Sequence, residues 1–457
     1  MDIEILKEKK EELDAISPSF CLAKWKQATL HLHNGNTQSC HHVKSHVVKV
    51  ENLENPAGLH NTPEKKQARS QMLSGKRPSE CDYCWRIEDR GELSDRIHKS
   101  SSDWAWVHKK GVIKDGVGEN TIPSYLEISF DSVCQFKCMY CSPAYSTKWQ
   151  AEIEEFGPYP TLMRFNGLGF FEKEGLLLRS PADREKYIQA FWKWWPQISS
   201  KLEHLRVTGG EPFLSKETFR LIDELIAKPQ PHLIFSINTN MGFNQGQLDD
   251  FVARVANLQK SVAKVIVFTS LDTVGKQAEY IRFGLNYSRF KSNLDRILSE
   301  TQMPIQISFM ITVNNLSLPG MPGLMEYIRD LRLKYPMHEI SLDTPYLRNP
   351  QHMSVEILPK SFIQYIENTV DYMQGVPPGP GSFTESEIQK VSRIRELMQK
   401  PSYSFLQKAI YRRDFYKMFV EYDRRRGTNF LETFPEYKMF WRMCSLHTIA
   451  KFSEPRP

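Results

Sequence analysis

Long apolar runs are absent from this sequence. No stretch of the 457 residues offers about eighteen uncharged apolar residues in a row, the length that a membrane-spanning helix requires. The first residues, Met1 to Lys10, alternate charged and apolar side chains where a secretory signal needs an uninterrupted apolar core. We therefore expect a folded cytoplasmic protein with no membrane partner.

The sequence also contains few cysteines and has a small net charge. The chain has 8 cysteines, and all but one fall in two tight sets, which is typical of metal ligation in a reducing compartment rather than of a disulfide frame. The formal net charge of +6 is spread along the chain, so it permits an anionic substrate and does not indicate nucleic acid. An apolar share of 40% supports ordinary globular cores, and the length allows several domains.

One of the two cysteine sets is the loop Cys134-Gln-Phe-Lys-Cys138-Met-Tyr-Cys141, which follows an apolar run at 125–130 that predicts a strand. Three thiols this close in sequence can converge on one metal centre, and clustered thiolates suit zinc or iron–sulfur centres. A cubane held by three thiolates leaves one iron open to a small molecule. From the three cysteines alone, a zinc loop or a redox thiol set is an equal alternative.

A second motif follows another apolar strand, 204–208, and reads Gly209-Gly210-Glu211-Pro212. Glycines allow a backbone to approach a ligand, and a carboxylate can hold an ammonium group. The two motifs in this order resemble the radical S-adenosylmethionine superfamily. The resemblance implies a [4Fe-4S] cluster on the three cysteines, whose free iron binds the amino and carboxylate groups of S-adenosylmethionine. It also implies reductive cleavage to a 5′-deoxyadenosyl radical that abstracts a hydrogen from the substrate.

Apolar strands alternate with helical patterns beyond the cysteine loop, and this order predicts parallel strands with crossover helices. The predicted strands are 125–130, 204–208, 233–237, 264–270, 305–312 and 338–343, with helices near 183–200, 216–228, 247–258, 288–300 and 323–335. Six such units fit the α/β architecture that the resemblance also implies, a partial (β/α)6 barrel of the TIM type. In such barrels the catalytic groups sit at the carboxyl ends of the strands.

Polar residues follow the third and fourth predicted strands. After the third come Asn238-Thr239-Asn240, and Met241 stands where the superfamily often has glycine. After the fourth come Ser270, Asp272 and Arg282, which resemble a further segment of the superfamily. The resemblance assigns the carboxylate of S-adenosylmethionine to Ser270 and Arg282, because a guanidinium matches a carboxylate bidentately.

Three further candidates are single residues. Asn314 follows the fifth strand and is a candidate for the ribose and adenine, and Tyr140 in the cysteine loop is a candidate for packing on adenine. Cys444 is either a hydrogen-atom donor to a substrate radical, as in some members of the superfamily, or a buried apolar residue. Each of these can also be an ordinary structural residue.

The second cysteine set comprises Cys21, Cys40, Cys81 and Cys84, a full ligand set. Its first pair has the pattern C-x13-G-x4-C around Gly35, and Asn-Gly at this point predicts a hairpin that brings the pair together. The pattern resembles the SPASM/Twitch module and implies a second, auxiliary [4Fe-4S] cluster. That module normally follows the barrel, whereas here it is transposed to the front. A structural zinc site, joined by nearby histidines, is the alternative.

We predict three domains: a cysteine-rich module and linker over 1–118, the barrel over 119–350, and a helical extension over 351–457. Residues 47–78 are predicted to be a loop. Residues 142–181 lack periodicity and are expected to cover the substrate. The run Arg424-Arg-Arg426 predicts a basic face that is solvated.

Members of the radical S-adenosylmethionine superfamily that carry auxiliary clusters often oxidise or cross-link peptide residues. The first hypothesis is therefore an oxidoreductase with two clusters that modifies a peptide or protein residue. The second is a dehydrogenase or rearrangement enzyme acting on a small polar metabolite or nucleotide. Either would take electrons from a low-potential donor such as flavodoxin or ferredoxin. The alternative from another class is a zinc-stabilised nucleic-acid-binding protein.

Overall fold

The computed structural model describes residues 3–163 and 165–449. Its strands are β1 (Gln27–His31), β2 (Asn36–Gln38), β3 (His46–Val47), β4 (Tyr125–Ser129), β5 (Lys137–Cys138), β6 (His204–Thr208), β7 (Gln230–Thr239), β8 (Val262–Ser270), β9 (Arg282–Phe283), β10 (Gln306–Met310) and β11 (Glu339–Asp343).

The helices up to β8 are α1 (Ile3–Ile16), α2 (Ala23–Lys26), α3 (Pro63–Leu73), α4 (Asp82–Glu88), α5 (Asp95–Ser101), α6 (Asp103–Trp106), α7 (Lys109–Asp115), α8 (Thr147–Phe156), α9 (Leu168–Lys173), α10 (Pro181–Ile198), α11 (Lys216–Ala227) and α12 (Gln245–Leu258). Those beyond it are α13 (Gly275–Ile281), α14 (Tyr287–Glu300), α15 (Met321–Lys334), α16 (Ile363–Gly375), α17 (Glu385–Gln399), α18 (Phe405–Arg426), α19 (Phe430–Thr433) and α20 (Lys438–Leu446). The mixed α/β class, the mostly parallel strands and the helical C-terminal region are as predicted.

The described chain divides into two compact units. Unit 1 contains the residues up to 132 together with 175–237 and 257–265, and unit 2 contains 133–174, 238–256 and the residues from 266 onwards. The division into three domains at residues 118 and 350 stays a prediction.

Unit 1 is built on a mixed sheet with the strand order β7-β6-β4-β1-β2-β3. The first four of these strands are parallel neighbours, and β2 pairs antiparallel with both β1 and β3. The predicted strands at 125–130, 204–208 and 233–237 are found here as β4, β6 and β7. The parallel pairing of β1 with β4, which puts Leu30 opposite Ile128, was not predicted.

The predicted hairpin around Gly35 is confirmed, because His31 of β1 lies opposite Asn36 of β2. Gly35 has a φ of +74°, in the left-handed region, and a β carbon there would lie 2.4 Å from Cζ of Tyr187. Both the backbone conformation and the lack of space therefore require glycine.

In unit 2 the parallel order is β11-β10-β8, with Met310 of β10 opposite both Ser270 and Asp343. The carboxyl ends of these strands therefore lie at one edge. The short strands β5 and β9 form a separate antiparallel pair. In the described ranges, no helix is both long enough and apolar enough to cross a membrane.

Two predicted loops contain helices. Residues 47–78 include α3, which begins where Thr62 accepts a hydrogen bond from the backbone N–H of Lys65 and Pro63 occupies the first helical position. The segment 142–181 includes α8 and α9, and Ser146 caps α8 in the same way. The loop prediction for 47–78 was wrong, because a short cap defines a helix that carries little apolar periodicity. That 142–181 covers the substrate stays a prediction.

We expect Gly35→Ala to lower the free energy of unfolding by about 3 kcal/mol or more, because the left-handed backbone and the clash with Tyr187 both penalise the methyl group. Gly91→Ala is the matched control, since Gly91 has a φ of +79° and nothing within 4 Å of its β-carbon position. The control should lose about 1 kcal/mol. Denaturant unfolding measures both, and equal losses would contradict the role of Tyr187.

Candidate functional site

The cysteine loop of unit 2 is held from two sides. Cys138 in β5 lies opposite Arg282 in β9, and the backbone N–H of Met139 donates to the carbonyl of Ile281 at 2.9 Å. On the other side, Nε1 of Trp149 in α8 donates to the carbonyl of Cys138 at 2.8 Å. The backbone around the second cysteine is therefore fixed by pairing that does not depend on a metal.

Two predicted site residues donate toward cysteine sulfurs. Nδ2 of Asn240 lies 3.8 Å from Sγ of Cys134, and Nη1 of Arg282 lies 3.6 Å from Sγ of Cys138. Oδ1 of Asn240 accepts from Nε2 of Gln135 at 3.1 Å, which fixes the direction of the amide. Donors to sulfur stabilise thiolates and tune the metal centre that they hold.

Arg282 is also paired with a buried carboxylate. Its Nε and Nη2 donate to the two carboxylate oxygens of Asp272 at 2.9 and 3.2 Å, and Tyr140 donates its hydroxyl to the same carboxylate at 2.7 Å. Nη2 of Arg282 donates to the Tyr140 oxygen as well. The guanidinium fork is thus occupied by Asp272 in this structure. The assignments of Arg282 to the carboxylate of S-adenosylmethionine and of Tyr140 to adenine stay predictions.

The thiols of this loop suit a metal centre. Burial raises the pKa of Cys138, and burial together with the nearby Cys138 raises the pKa of Cys141 to about 12. Such thiols keep their protons at neutral pH until a cation replaces them, so that metal binding releases protons. The donor set therefore fits a thiolate-ligated cofactor.

The turn after β7 departs from the superfamily pattern at one position. Thr239 accepts through its hydroxyl from the backbone N–H of Met241 at 3.1 Å, and Met241 has a φ of +56°. Methionine thus takes a left-handed conformation at the place where the superfamily often has glycine. Asn238, next to Thr239, is partly buried.

Asn314 is fully buried and uses both ends of its amide locally. Nδ2 donates to the carbonyl of Thr312 at 2.9 Å, and Oδ1 accepts from the backbone N–H of Leu316 at 3.0 Å. The N–H of Thr312 donates to Asp272 at 2.9 Å. Asn314 therefore shapes the turn after β10. Ser270 is the last residue of β8 and is partly buried.

Cys444 lies in α20 and is fully buried. Burial raises the pKa of its thiol above the ordinary range. This placement matches the interpretation of Cys444 as a buried apolar residue, and the hydrogen-donor role stays a prediction.

The motif Gly209 to Pro212 lies in unit 1, directly after β6. The backbone N–H of Gly210 donates to the carbonyl of Asp131 at 3.2 Å, and a β carbon on Gly209 would lie 2.6 Å from that oxygen. The carboxylate of Glu211 is buried and accepts from the backbone N–H of Phe213 at 3.3 Å. The glycine is thus required by the close approach of two backbones, and Pro212 begins a short 3-10 turn.

The four N-terminal cysteines line one cavity of unit 1. None of Cys21, Cys40, Cys81 and Cys84 forms a disulfide. Burial raises the pKa of Cys81 and Cys84 to about 12, and burial with the neighbouring Cys40 raises that of Cys21. Ser100 donates its hydroxyl to Sγ of Cys21 at 3.8 Å. The four thiols therefore lie around one cavity and their donor chemistry fits a metal centre, while their role as ligands stays a prediction.

Buried cations border this cavity. Lys24 pairs with Glu80. Arg96 pairs with both Glu88 and Asp14 at 2.8 Å. Lys24 and Arg96 both line the cavity. A centre with four thiolates carries a net negative charge, and adjacent cations favour it.

A group of histidine and carboxylate atoms also lies at this cavity. In the described ranges, His41, His42 and Asp95 offer three possible ligand atoms within 4.8 Å of one another. Nε2 of His42 lies 2.7 Å from Asp95, beside the cavity.

No sequence pattern pointed to the carboxylate that anchors the cysteine loop. Glu152 of α8 is 3% exposed at its side chain and contacts Nζ of Lys137, in the loop, at 2.6 Å and Nη2 of Arg426 at 2.7 Å. Tyr159 donates its hydroxyl to Glu152 at 2.5 Å, and Arg425 lies 3.6 Å away. Burial opposes its ionisation, but these cations and Tyr159 hold the pKa of Glu152 below its usual value.

The predicted solvated face of the arginine run is therefore wrong for two of its residues. The side chains of Arg425 and Arg426 are 2% and 1% exposed, whereas that of Arg424 is 60% exposed. The end of α18 thus supports the cysteine loop through Glu152. Nothing local in the sequence links residues so far apart.

Known proteins resemble part of this chain. It is 24% identical over 196 residues to a GTP 3′,8-cyclase of Campylobacter lari, covering 43% of this chain and 47% of that protein. It is 26% identical over 199 residues to the GTP 3′,8-cyclase of Campylobacter jejuni, covering 43% of this chain and 48% of that protein. It is 24% identical over 225 residues to the GTP 3′,8-cyclase of Helicobacter pylori, covering 47% of this chain and 55% of that protein. The chain spans about half the length of these curated relatives. No family model matches the chain.

These similarities support the resemblance of the chain to the radical S-adenosylmethionine superfamily. Among solved structures, Streptococcus suis SuiB has a TM-score of 0.34 at 14% identity, covering 68% of this chain and 62% of SuiB. The structure of SuiB bound to S-adenosylmethionine has a TM-score of 0.32 at 14% identity, covering 76% of this chain and 69% of SuiB. TM-scores this low carry no argument about function.

The resemblance to the radical S-adenosylmethionine superfamily implies a [4Fe-4S] cluster and S-adenosylmethionine as cofactors. An auxiliary cluster on the N-terminal cysteines remains a prediction, as do the individual roles of the site residues.

We expect Glu152→Gln to lower the free energy of unfolding by about 3 kcal/mol, because it leaves Lys137 and Arg426 without their buried counter-charge. Glu155→Gln on the same helix is the control, since Glu155 is exposed, and should change stability by less than about 0.5 kcal/mol. Anaerobic urea unfolding measures both. Similar losses in the two variants would show that Glu152 does not anchor the loop.

Proposed function

We propose that this enzyme holds its [4Fe-4S] cluster on Cys134, Cys138 and Cys141 and abstracts a hydrogen atom from a peptide or protein residue. The observation that carries the proposal is the loop itself, whose three cysteines are partly buried. The sulfurs of Cys134 and Cys138 receive donors from Asn240 and Arg282. When bound, the cluster supplies the electron that cleaves S-adenosylmethionine to a 5′-deoxyadenosyl radical.

The residues around the cysteine loop hold its backbone and its sulfurs in place. The antiparallel pair β5–β9 and Trp149 fix the backbone of Cys138, so that its sulfur has one direction. Arg282 and Asn240 stabilise the thiolate forms by hydrogen bonding. Asp272 fixes the plane of the Arg282 guanidinium, and Tyr140 completes that contact. Glu211 is the candidate for the ammonium group of the cofactor.

We propose an auxiliary [4Fe-4S] cluster on the four N-terminal cysteines, acting in oxidation of the substrate or in its binding. Two observations support it. The four thiols line one cavity. The buried cations Lys24 and Arg96 border it and favour a centre with negative charge. A low-potential flavodoxin or ferredoxin would be the electron donor.

A nucleotide or other small polar substrate is the second candidate, favoured by the similarity to proteins named GTP 3′,8-cyclase. Formation of 5′-deoxyadenosine in the presence of GTP, with consumption of the GTP, would select this candidate. Since the similarity covers about half of those proteins, the substrate of this chain is a proposal in either case. A zinc-stabilised nucleic-acid-binding protein does not account for the similarity to proteins named GTP 3′,8-cyclase.

We expect anaerobically prepared protein to bind about seven to eight iron atoms, as two cubanes require. Replacing Cys134, Cys138 and Cys141 by Ala should remove about half of this iron and all formation of 5′-deoxyadenosine, because no other cysteine set leaves an iron open. Iron and zinc analysis with electron paramagnetic resonance measures the result. About four irons with stoichiometric zinc in the wild type would refute the auxiliary cluster.

A second experiment separates a catalytic from a structural N-terminal centre. Cys81→Ala with Cys84→Ala should stop product formation and spare uncoupled 5′-deoxyadenosine formation, which needs the cysteine loop of unit 2 alone. A purely structural centre contributes folding free energy instead. Parallel loss of product, 5′-deoxyadenosine and melting temperature in one anaerobic sample would therefore refute the catalytic role.

A further inference from the structure

His352 of unit 2 is fully buried, and neither of its ring nitrogens has a hydrogen-bond partner among the described residues. A neutral imidazole offers one donor and one acceptor. Buried polar groups in native proteins are normally paired, because an unmet donor or acceptor loses its hydration without compensation. A ligand that supplied both partners would recover that free energy.

A second unmet group lies beside His352. Nδ2 of Asn315 donates to the carbonyl of His352, and the backbone N–H of Asn315 donates to the carbonyl of Met353, both at 2.8 Å. Oδ1 of Asn315 is buried and, in the described part of the chain, has no partner. Asn315 directly follows Asn314 beyond the carboxyl end of β10. Barrel enzymes bind their substrates at this end of the strands.

One aromatic ring covers the histidine. The ring of Phe165 contacts that of His352 with centroids 4.9 Å apart, and Phe165 is itself only partly buried. A movement of the Phe165 side chain would uncover this face of the imidazole.

The surroundings decide which ligand chemistry fits. Burial lowers the pKa of His352 to about 3, and no charged group contributes to this shift. The ring is therefore neutral at physiological pH. Anionic groups such as phosphate or carboxylate are bound best by cationic donors. A neutral donor and acceptor side by side instead match a carboxamide or a peptide group.

We propose that His352 and Asn315 form a substrate subsite for a neutral peptide group, closed by Phe165 when empty. The subsite rests on the proposed function, because it selects the peptide from the two substrate classes considered there.

The first test separates a binding residue from a packing residue. His338 is the matched control, a buried histidine whose Nδ1 accepts from the N–H of Ile305 at 3.2 Å and whose Nε2 lies 2.8 Å from the carbonyl of Leu298. His338→Leu should lower the melting temperature of the iron-loaded protein, because two hydrogen bonds are lost. His352→Leu should leave it unchanged or raise it. An equal fall in both variants would overturn the proposal.

The second test measures binding directly, on oxidised protein labelled with ¹⁵N-histidine. Titration with N-acetylglycine N-methylamide should shift the ring resonances that disappear in His352→Leu, and inorganic phosphate should not. Phe165→Ala should tighten amide binding several-fold. Unmoved resonances with the amide, or a shift with phosphate, would overturn the subsite. Because binding needs no electron, absence of 5′-deoxyadenosine formation in the wild type would refute the proposed function separately.

Discussion

One buried carboxylate determines how the functional loop of unit 2 is held. Glu152 balances Lys137 from the cysteine loop and Arg425 and Arg426 from the end of α18. Removing one partner from a buried ion network leaves uncompensated charge, which costs more than the network contributes to stability when complete. The C-terminal helices are therefore part of the support of the cysteine loop.

The same principle applies to Arg282, whose charge is neutralised by Asp272 within the fold. An arginine that is 5% exposed and already bonded to a carboxylate is oriented before any cofactor arrives. Because its Nη1 also faces Sγ of Cys138, the pair acts on the ligand sulfur. A carboxylate brought by S-adenosylmethionine would have to share this guanidinium with Asp272, which gives a concrete geometric condition for the role that the superfamily resemblance implies.

Local patterns predicted what is local. The strands of both units, the hairpin at Gly35 and the two cysteine sets each follow from residues within a short window, where periodicity and turn chemistry act. Two contacts join residues that are far apart in sequence, the parallel pairing of β1 with β4 and the contact of Arg426 with Glu152. No local pattern in either segment predicts which distant segment it contacts. Helix α3 was missed for another reason, since its cap, Thr62, is a single residue inside a polar stretch.

Met241 shows how a departure from a family pattern is accommodated. A left-handed conformation costs a non-glycine residue about 1 to 2 kcal/mol. The methionine side chain is fully buried, and burial of such a side chain contributes about 1.5 to 3 kcal/mol. Asn293 also donates to the carbonyls of Met241 and Phe243 at 2.9 and 3.1 Å, which holds the turn. Burial therefore outweighs the strain, and the turn that carries Asn240 to the sulfur of Cys134 forms without glycine.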